Sequence, residues 1–281
     1  MEPPSAPNPE GRVGGAAPSS AVGPADEVLT VGELDRRLKR LLESSTGDVR
    51  LLSEADLILY NGLNLEGKMG DLFVRMARSR PTAAVTERID EKLLREPPEF
   101  AGHFDPHVWF DVEMWSGAVE RIRDALIELD PDGRSEYERR TKDYLEELYE
   151  LNEWISEQIA AIPAESRVLI TAHDAFGYFG RAYDIEVRGL QGISTESEPS
   201  LKDVNDLVDL LVSRRIKAVF VESSVPRKSI EALIEGCRAR GHEVRVGGEL
   251  FSDAMGRAGT PEGTYVGMVR HNVETIVNAL K

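Results

Sequence analysis

Apolar residues in the second half of the chain follow two alternating patterns. Short apolar runs, such as RVLITA at 167–172 and AVFVES at 218–223, predict buried strands. Between them, apolar residues recur every three or four positions, which is typical of amphipathic helices. The other predicted elements are DAFGYFGRAY, IEVRGLQG, SLKDVNDLVDLLVSRR, RKSIEALIEGCRARG, EVRVGG and TYVGMVRHNVETIVNAL. This alternation predicts an α/β lobe with a parallel sheet covered by helices.

The first half contains a similar but shorter pattern. ADLILYNG at 55–62 predicts a strand, 65–79 a helix, and TAAVTER at 82–88 a second strand. Residues 112–128 predict another helix. Apolar residues recur at helical spacing from 135 to 161 and form one face. This pattern predicts a helix about 40 Å long, which can connect two lobes.

The N-terminal region differs in composition. Residues 1–27 are rich in Pro, Gly, Ala and Ser, so they are predicted to be disordered. Apolar residues from Val28 onward recur at helical spacing and predict a helix ending near Gly47. No basic start followed by an apolar run is visible, and no later run is long enough to span a bilayer. Taken as written, the chain is expected to stay in the cytoplasm where it is made.

The charge balance narrows the possible partners. The chain of 281 residues has 50 acidic and 34 basic side chains, a formal charge of −16. This charge opposes binding to nucleic acid and favours cationic ligands. The single cysteine, Cys237, allows neither an internal disulfide nor a zinc ribbon. Nucleotide binding has no support either, because no glycine-rich phosphate loop is present.

Three side chains suggest a metal site. His173 directly follows the strand RVLITA, Asp253 lies within seven residues of EVRVGG, and His107 lies in the loop motif DPHVWFD. Ligands of α/β sheets gather at the carboxyl ends of strands. Imidazole and carboxylate groups bind zinc, manganese or ferrous iron. Glu222, at the end of AVFVES, is the candidate for a second acceptor that fixes a histidine tautomer.

Each candidate also has an ordinary structural interpretation. A histidine can pack against aromatic rings, a carboxylate can cap a helix, and a glutamate can lie on the surface; these alternatives apply to His107, His173, Asp253 and Glu222. His103 is predicted on the surface, because Pro106 disfavours one helix that would align it with His107. His242 and His271 are predicted to be solvent or packing residues.

Several long motifs carry a family resemblance. They are ADLILYNGLNLEGKM, DPHVWFD, TAHDAFGYFGRAY, GLQGISTESEPS, FVESSVP and GGELFSDAMGRAGTPEGTYVGMVRHN. In this order they resemble the zinc- and manganese-binding solute-binding proteins of ABC transporters, of the TroA-like branch (cluster A-I), over about 47–281. The resemblance implies two α/β lobes with parallel sheets, joined by one long helix, and a metal in the cleft. His107 would be the ligand from the first lobe, and His173 and Asp253 those from the second.

The same resemblance implies a function and a location. Such a protein is not an enzyme: it captures Zn²⁺ or Mn²⁺, with Fe²⁺ a further candidate, in the periplasm or elsewhere outside the cytoplasmic membrane. It delivers the ion to a permease. The implied division of this chain is a disordered segment at 1–27, a first lobe at 28–134, a connecting helix at 135–161 and a second lobe at 162–281.

The chain departs from the family pattern before Gly47. Family members carry a P-H-x-Y histidine ligand there, whereas this chain reads RRLKRLLESSTGDV and has no histidine before His103. Residues 28–49 instead resemble the opening of the exodeoxyribonuclease VII large subunit. The first lobe is therefore predicted to be incomplete at its N-terminus. Two alternatives stay open: a chimera with weak or no metal binding, and a zinc-dependent hydrolase with three protein ligands and water.

Overall fold

The computed structural model describes residues 51–100, 102–195 and 199–281, without the side chains of Lys68 and Glu99. The disorder predicted for 1–27 and the helix predicted to end near Gly47 lie outside the described residues. The resemblance of 28–49 to the nuclease subunit also falls there and stays a prediction.

The first lobe contains a short strand–helix–strand unit. Strands β1 (Ile58–Tyr60) and β2 (Thr82–Ala84) pair in parallel, and helix α1 (Gly70–Met76) lies between them in the chain. Helix and strands are shorter than predicted. The chain turns sharply after β1, where Leu63 and Asn64 both have positive φ angles, so regular helix begins only beyond this turn.

Two consecutive helices that pack against each other follow. Helix α2 (Val112–Leu129) begins at Asp111, whose side chain accepts hydrogen bonds from two main-chain N–H groups of the first turn. A turn at Pro131–Gly133 leads into the long helix α3 (Arg134–Ala160). The buried apolar residues of α3 are Leu148, Leu151, Ile155 and Ile159. Their spacing of three or four residues is the period that predicted this helix.

The second lobe alternates strands and helices. Its elements are β3 (Val168–His173), α4 (Gly177–Tyr183), β4 (Glu186–Gln191), α5 (Leu201–Ser213), β5 (Ala218–Glu222), α6 (Lys228–Ala239), β6 (Arg245–Leu250) and α7 (Tyr265–Leu280). Within the described residues, the hydrogen-bonded ladders join β3 to β4 and β5 to β6, both in parallel. Strand β3 also lies beside β5. The carboxyl ends of β3, β5 and β6 therefore meet at one edge.

A shared core ties the two lobes together. Trp109, in the short 3-10 helix Val108–Phe110 before α2, donates its indole N–H to the carbonyl of Ser252 at 3.2 Å. The hydroxyl of Tyr265, on α7, donates to the carbonyl of Trp109 at 2.7 Å. Both aromatic side chains are buried, and burial of such a side chain stabilises the fold by about 1.5–3 kcal/mol. These contacts hold the His107 loop against the second lobe. No helix in the described ranges has the length and apolar character of a membrane span.

Candidate metal centre

His107 is held by the carboxylate two residues before it. The main-chain N–H of His107 donates to Asp105 Oδ1 at 3.0 Å, and its Nδ1 lies 2.7 Å from the same oxygen. Both side chains are buried. Because an ionised carboxylate can only accept, Nδ1 carries the proton in this contact. The other ring nitrogen, Nε2, is directed towards Asp253 Oδ1 at 3.4 Å.

His173 has a similar arrangement at the end of β3. Its main-chain N–H donates to Glu222 Oε1 at 2.8 Å, and its Nδ1 lies 2.6 Å from Glu222 Oε2. Glu222 ends the neighbouring strand β5 and is only 3% exposed, so it is not a surface glutamate. The other ring nitrogen of His173, Nε2, lies 3.3 Å from Asp253 Oδ1.

Asp253 lies three residues beyond the end of β6, between the two imidazoles. It does not cap α7, since the side chain of Thr264 does so. Asp253 Oδ1, Glu222 Oε2 and both ring nitrogens of His173 are buried without a well-formed hydrogen bond. The three candidate ligand atoms lie within 4.8 Å of one another. Tetrahedral ligands of zinc at bond lengths of about 2.1 Å are separated by roughly 3.4 Å, so the contacts to Asp253 suit one shared ion.

Without a metal, the carboxylates hold protons on the imidazoles. Burial lowers the pKa of His107, but its hydrogen bonds to Asp105 and Asp253 outweigh this effect and raise the pKa to about 9. Burial also opposes protonation of His173, but the charges of Glu222 and Asp253 raise its pKa to about 10. Burial raises the pKa of Asp253, but the two histidines lower it more. The cluster is thus built to hold positive charge next to Asp253.

The remaining histidines lie apart from this cluster. His103 is exposed and packs against Phe100. His242 and His271 contact the main-chain carbonyls of Ile216 and Glu249 through Nε2, at 2.6 and 3.0 Å. These contacts agree with packing roles.

Asp105 is the residue of the site that the sequence prediction omitted. Its two oxygens serve different partners, because Oδ1 contacts His107 and Oδ2 pairs with the guanidinium of Arg95. A signal for it was available, since a carboxylate two residues before a candidate ligand can orient that histidine. No local sequence pattern indicates that Arg95, ten residues before Asp105, is the partner of this carboxylate.

Known proteins are similar to this chain in sequence and in fold. The family model described as ZnuA, zinc-uptake complex component A periplasmic, matches residues 40–279. Zinc-binding protein TroA of Treponema pallidum (strain Nichols) is 49% identical over 267 residues, covering 91% of this chain and 85% of that protein. Manganese-binding lipoprotein MntA of Bacillus subtilis (strain 168) is 49% identical over 241 residues, covering 86% and 78%. The solved structure of periplasmic zinc-binding TroA from Treponema pallidum matches with a TM-score of 0.81 at 51% identity, covering 84% of each chain.

Proposed function

Because the chain belongs to the family of the periplasmic zinc-uptake component A, we propose that it is the solute-binding protein of a metal ABC transporter and captures Zn²⁺ or Mn²⁺ between its lobes. The observation that carries the proposal is the convergence of His107, His173 and Asp253 from separate parts of the chain. The metal is the cargo of this protein, and the reaction is binding and release.

The proposed ligand atoms are Nε2 of His107, Nε2 of His173 and Oδ1 of Asp253. The opposite ring nitrogens contact Asp105 and Glu222, which keeps both Nε2 atoms directed at the ion. A cation that binds there replaces the two Nε2 protons, so the total charge of the cluster is unchanged. These nitrogen and oxygen donors suit Zn²⁺ and Mn²⁺, and they also accept Fe²⁺.

The fourth coordination position distinguishes this chain from the family pattern. No histidine occurs before His103, so the ligand expected before Gly47 is missing. We propose that water or another side chain completes the coordination. Three protein ligands and water also describe catalytic zinc sites. The match over residues 40–279 to an uptake component favours binding over hydrolysis.

The partner and location are proposed from the same family. The relatives include a periplasmic protein and lipoproteins, and their names support a location outside the cytoplasmic membrane. There it would receive the ion from solution and pass it to the permease. The formal charge of −16 favours encounter with a cation and opposes binding to nucleic acid.

Titration of metal-stripped protein tests this function. We expect Zn²⁺ and Mn²⁺ each to bind at a single site and to raise the melting temperature, because a ligand that binds only the folded state stabilises it. Mg²⁺ serves as the control, since it prefers octahedral oxygen ligands and should give little shift. Calorimetry and thermal unfolding are the measurements. Absence of binding by both transition metals would favour the chimera.

Glu222→Gln should weaken Zn²⁺ binding by about 10- to 100-fold, which is the usual effect of removing a carboxylate partner of a ligating histidine. The amide keeps the size of the side chain but loses the charge that supports His173 Nδ1–H. Competition with a chromophoric chelator gives the affinity. Glu249→Gln is the matched control, because Glu249 pairs with Arg227 on the exposed side of β6. Equal affinities of the two variants would contradict a role of Glu222 in the site.

A further inference from the structure

Arg95 reaches from the first lobe to both sides of the metal cluster. Its Nη1 pairs with Oδ2 of Asp105, the carboxylate that orients His107. Its Nη2 lies 3.9 Å from Oδ2 of Asp174, the residue that follows His173. The carboxylate of Asp105 is fully buried, so the guanidinium supplies its balancing charge.

The guanidinium of Arg95 packs against Gly177 of the second lobe. It fills the space that a side chain at position 177 would occupy, which is named the Gly177 slot. A Cβ added to Gly177, the first residue of α4, would lie 1.3 Å from Arg95 Nη1 and 2.0 Å from its Cζ. No left-handed backbone requires glycine at this position. Gly177 is therefore needed for space, and any larger residue would displace the end of the Arg95 side chain.

Tyr178 completes the junction between the lobes. Its buried hydroxyl accepts the main-chain N–H of Arg95 at 3.0 Å and donates to the carbonyl of Asp105 at 2.8 Å. The main-chain N–H of Asp105 in turn donates to the carbonyl of Arg95 at 2.8 Å. Arg95 Cζ also lies 5.7 Å from the centre of the Tyr178 ring. Arg95 and Asp105 are thus fixed to each other and to α4.

We propose that Arg95, which packs against Gly177, is a positioning residue. Its contacts with Asp105, Gly177 and Tyr178, named the strap, join the two lobes and hold Asp105 in the orientation that fixes His107. Arg95 does not touch the ion itself. For the metal, this inference rests on the proposed function. Separation of the lobes has to withdraw the guanidinium from the Gly177 slot, so the strap acts mainly against release.

Two variants remove the strap in different ways. Arg95→Met removes the charge and keeps the aliphatic bulk, and Gly177→Ala fills the slot while Arg95 is retained. We expect each to speed Zn²⁺ dissociation about tenfold or more, with association within about threefold of wild type, as for other residues that support metal ligands. The double variant should match the stronger single variant, because both changes remove one contact. Stopped-flow with a chelator measures these rates.

The control is Arg88→Met, since Arg88 pairs with Asp124 within the first lobe and is half exposed. Gly177→Ala also controls for misfolding of the Arg95 variant. It should leave helix α4 intact, because alanine favours a helix more than glycine does. A general loss of structure would lower the melting temperature and alter both rate constants. Wild-type dissociation in either strap variant, or an equal effect of Arg88→Met, overturns the proposal.

Hydrogen exchange tests the strap without any metal. The His107 N–H bonds to Asp105 Oδ1, so its exchange should quicken in both strap variants and not in Arg88→Met. Unchanged exchange overturns the strap. Failure of the wild-type protein to bind Zn²⁺ would instead contradict the proposed function. The exchange result would still test whether Arg95 positions Asp105.

Discussion

Asp253→Asn should abolish most of the thermal stabilisation that Zn²⁺ gives the wild-type protein. Asp253 Oδ1 lies 3.4 Å from His107 Nε2 and 3.3 Å from His173 Nε2, so it is the oxygen shared by both imidazoles. Asparagine keeps the shape of the side chain but removes the anionic oxygen. At a metal concentration one hundred times Kd, the wild-type gain is about 2.7 kcal/mol, and the variant should gain close to none.

The measured quantity is the difference between metal-loaded and metal-free protein. Asp253 also stabilises the two protonated imidazoles in the metal-free state, so the variant will begin from a lower melting temperature. Asp209→Asn is the matched control, because Asp209 lies on α5 and pairs with exposed Arg240. A full Zn²⁺ shift in Asp253→Asn would remove Asp253 from the ligand set.

The fold was predictable where local pattern dominates. The family match and the TM-score of 0.81 to TroA confirm the predicted fold of two α/β lobes joined by a long helix. That helix was predicted at 135–161 and runs from Arg134 to Ala160, because its apolar period is unbroken. The exact lobe boundaries stay a prediction.

Tertiary contacts limited the prediction elsewhere in the fold. A strand was predicted at 82–88, whereas β2 ends at Ala84. Thr86 leaves the strand, and its hydroxyl donates to the carbonyl of Asn61 at 2.5 Å. No local pattern reveals that contact, because the two residues are 25 positions apart.

Predictability of the candidate site follows the same division. His173 and Glu222 end neighbouring strands, so the edge rule for α/β sheets is enough to bring them together. Asp253 follows from the same rule. The contact between Arg95 and Gly177 could not be predicted in this way. It depends on which residue of the first lobe lies opposite this glycine in the folded chain. Ligation itself stays a prediction until a metal is measured.

The metal-free cluster explains why protons should compete with the ion. Asp105, Glu222 and Asp253 place three carboxylates around His107 and His173. Arg95 balances the charge of Asp105, so two neutral imidazoles would leave the negative charges of Glu222 and Asp253 poorly balanced. Protons on both Nε2 atoms reduce this imbalance, and a divalent cation with two neutral imidazoles gives the same total charge. Binding is therefore an exchange of one ion for two protons.

The affinity for Zn²⁺ should accordingly rise steeply with pH. The pKa of His107 is raised to about 9 and that of His173 to about 10, so both are protonated in the metal-free protein at pH 7. Loss of two protons on binding predicts an increase of up to about 100-fold per pH unit below pH 9. Chelator competition at pH 6.5, 7.5 and 8.5 measures this slope.

The stability of the metal-free protein should change in the opposite direction. A raised histidine pKa contributes stability that is complete below the unfolded value of about 6.5 and is lost as pH rises through about 9 and 10. Thermal unfolding without metal should therefore show a decline over the range in which affinity increases. Calorimetry in two buffers of different ionisation enthalpy counts the released protons. An affinity that is flat from pH 6.5 to 8.5 would mean that the imidazoles are already neutral, and that the carboxylates do not hold protons in place of the metal.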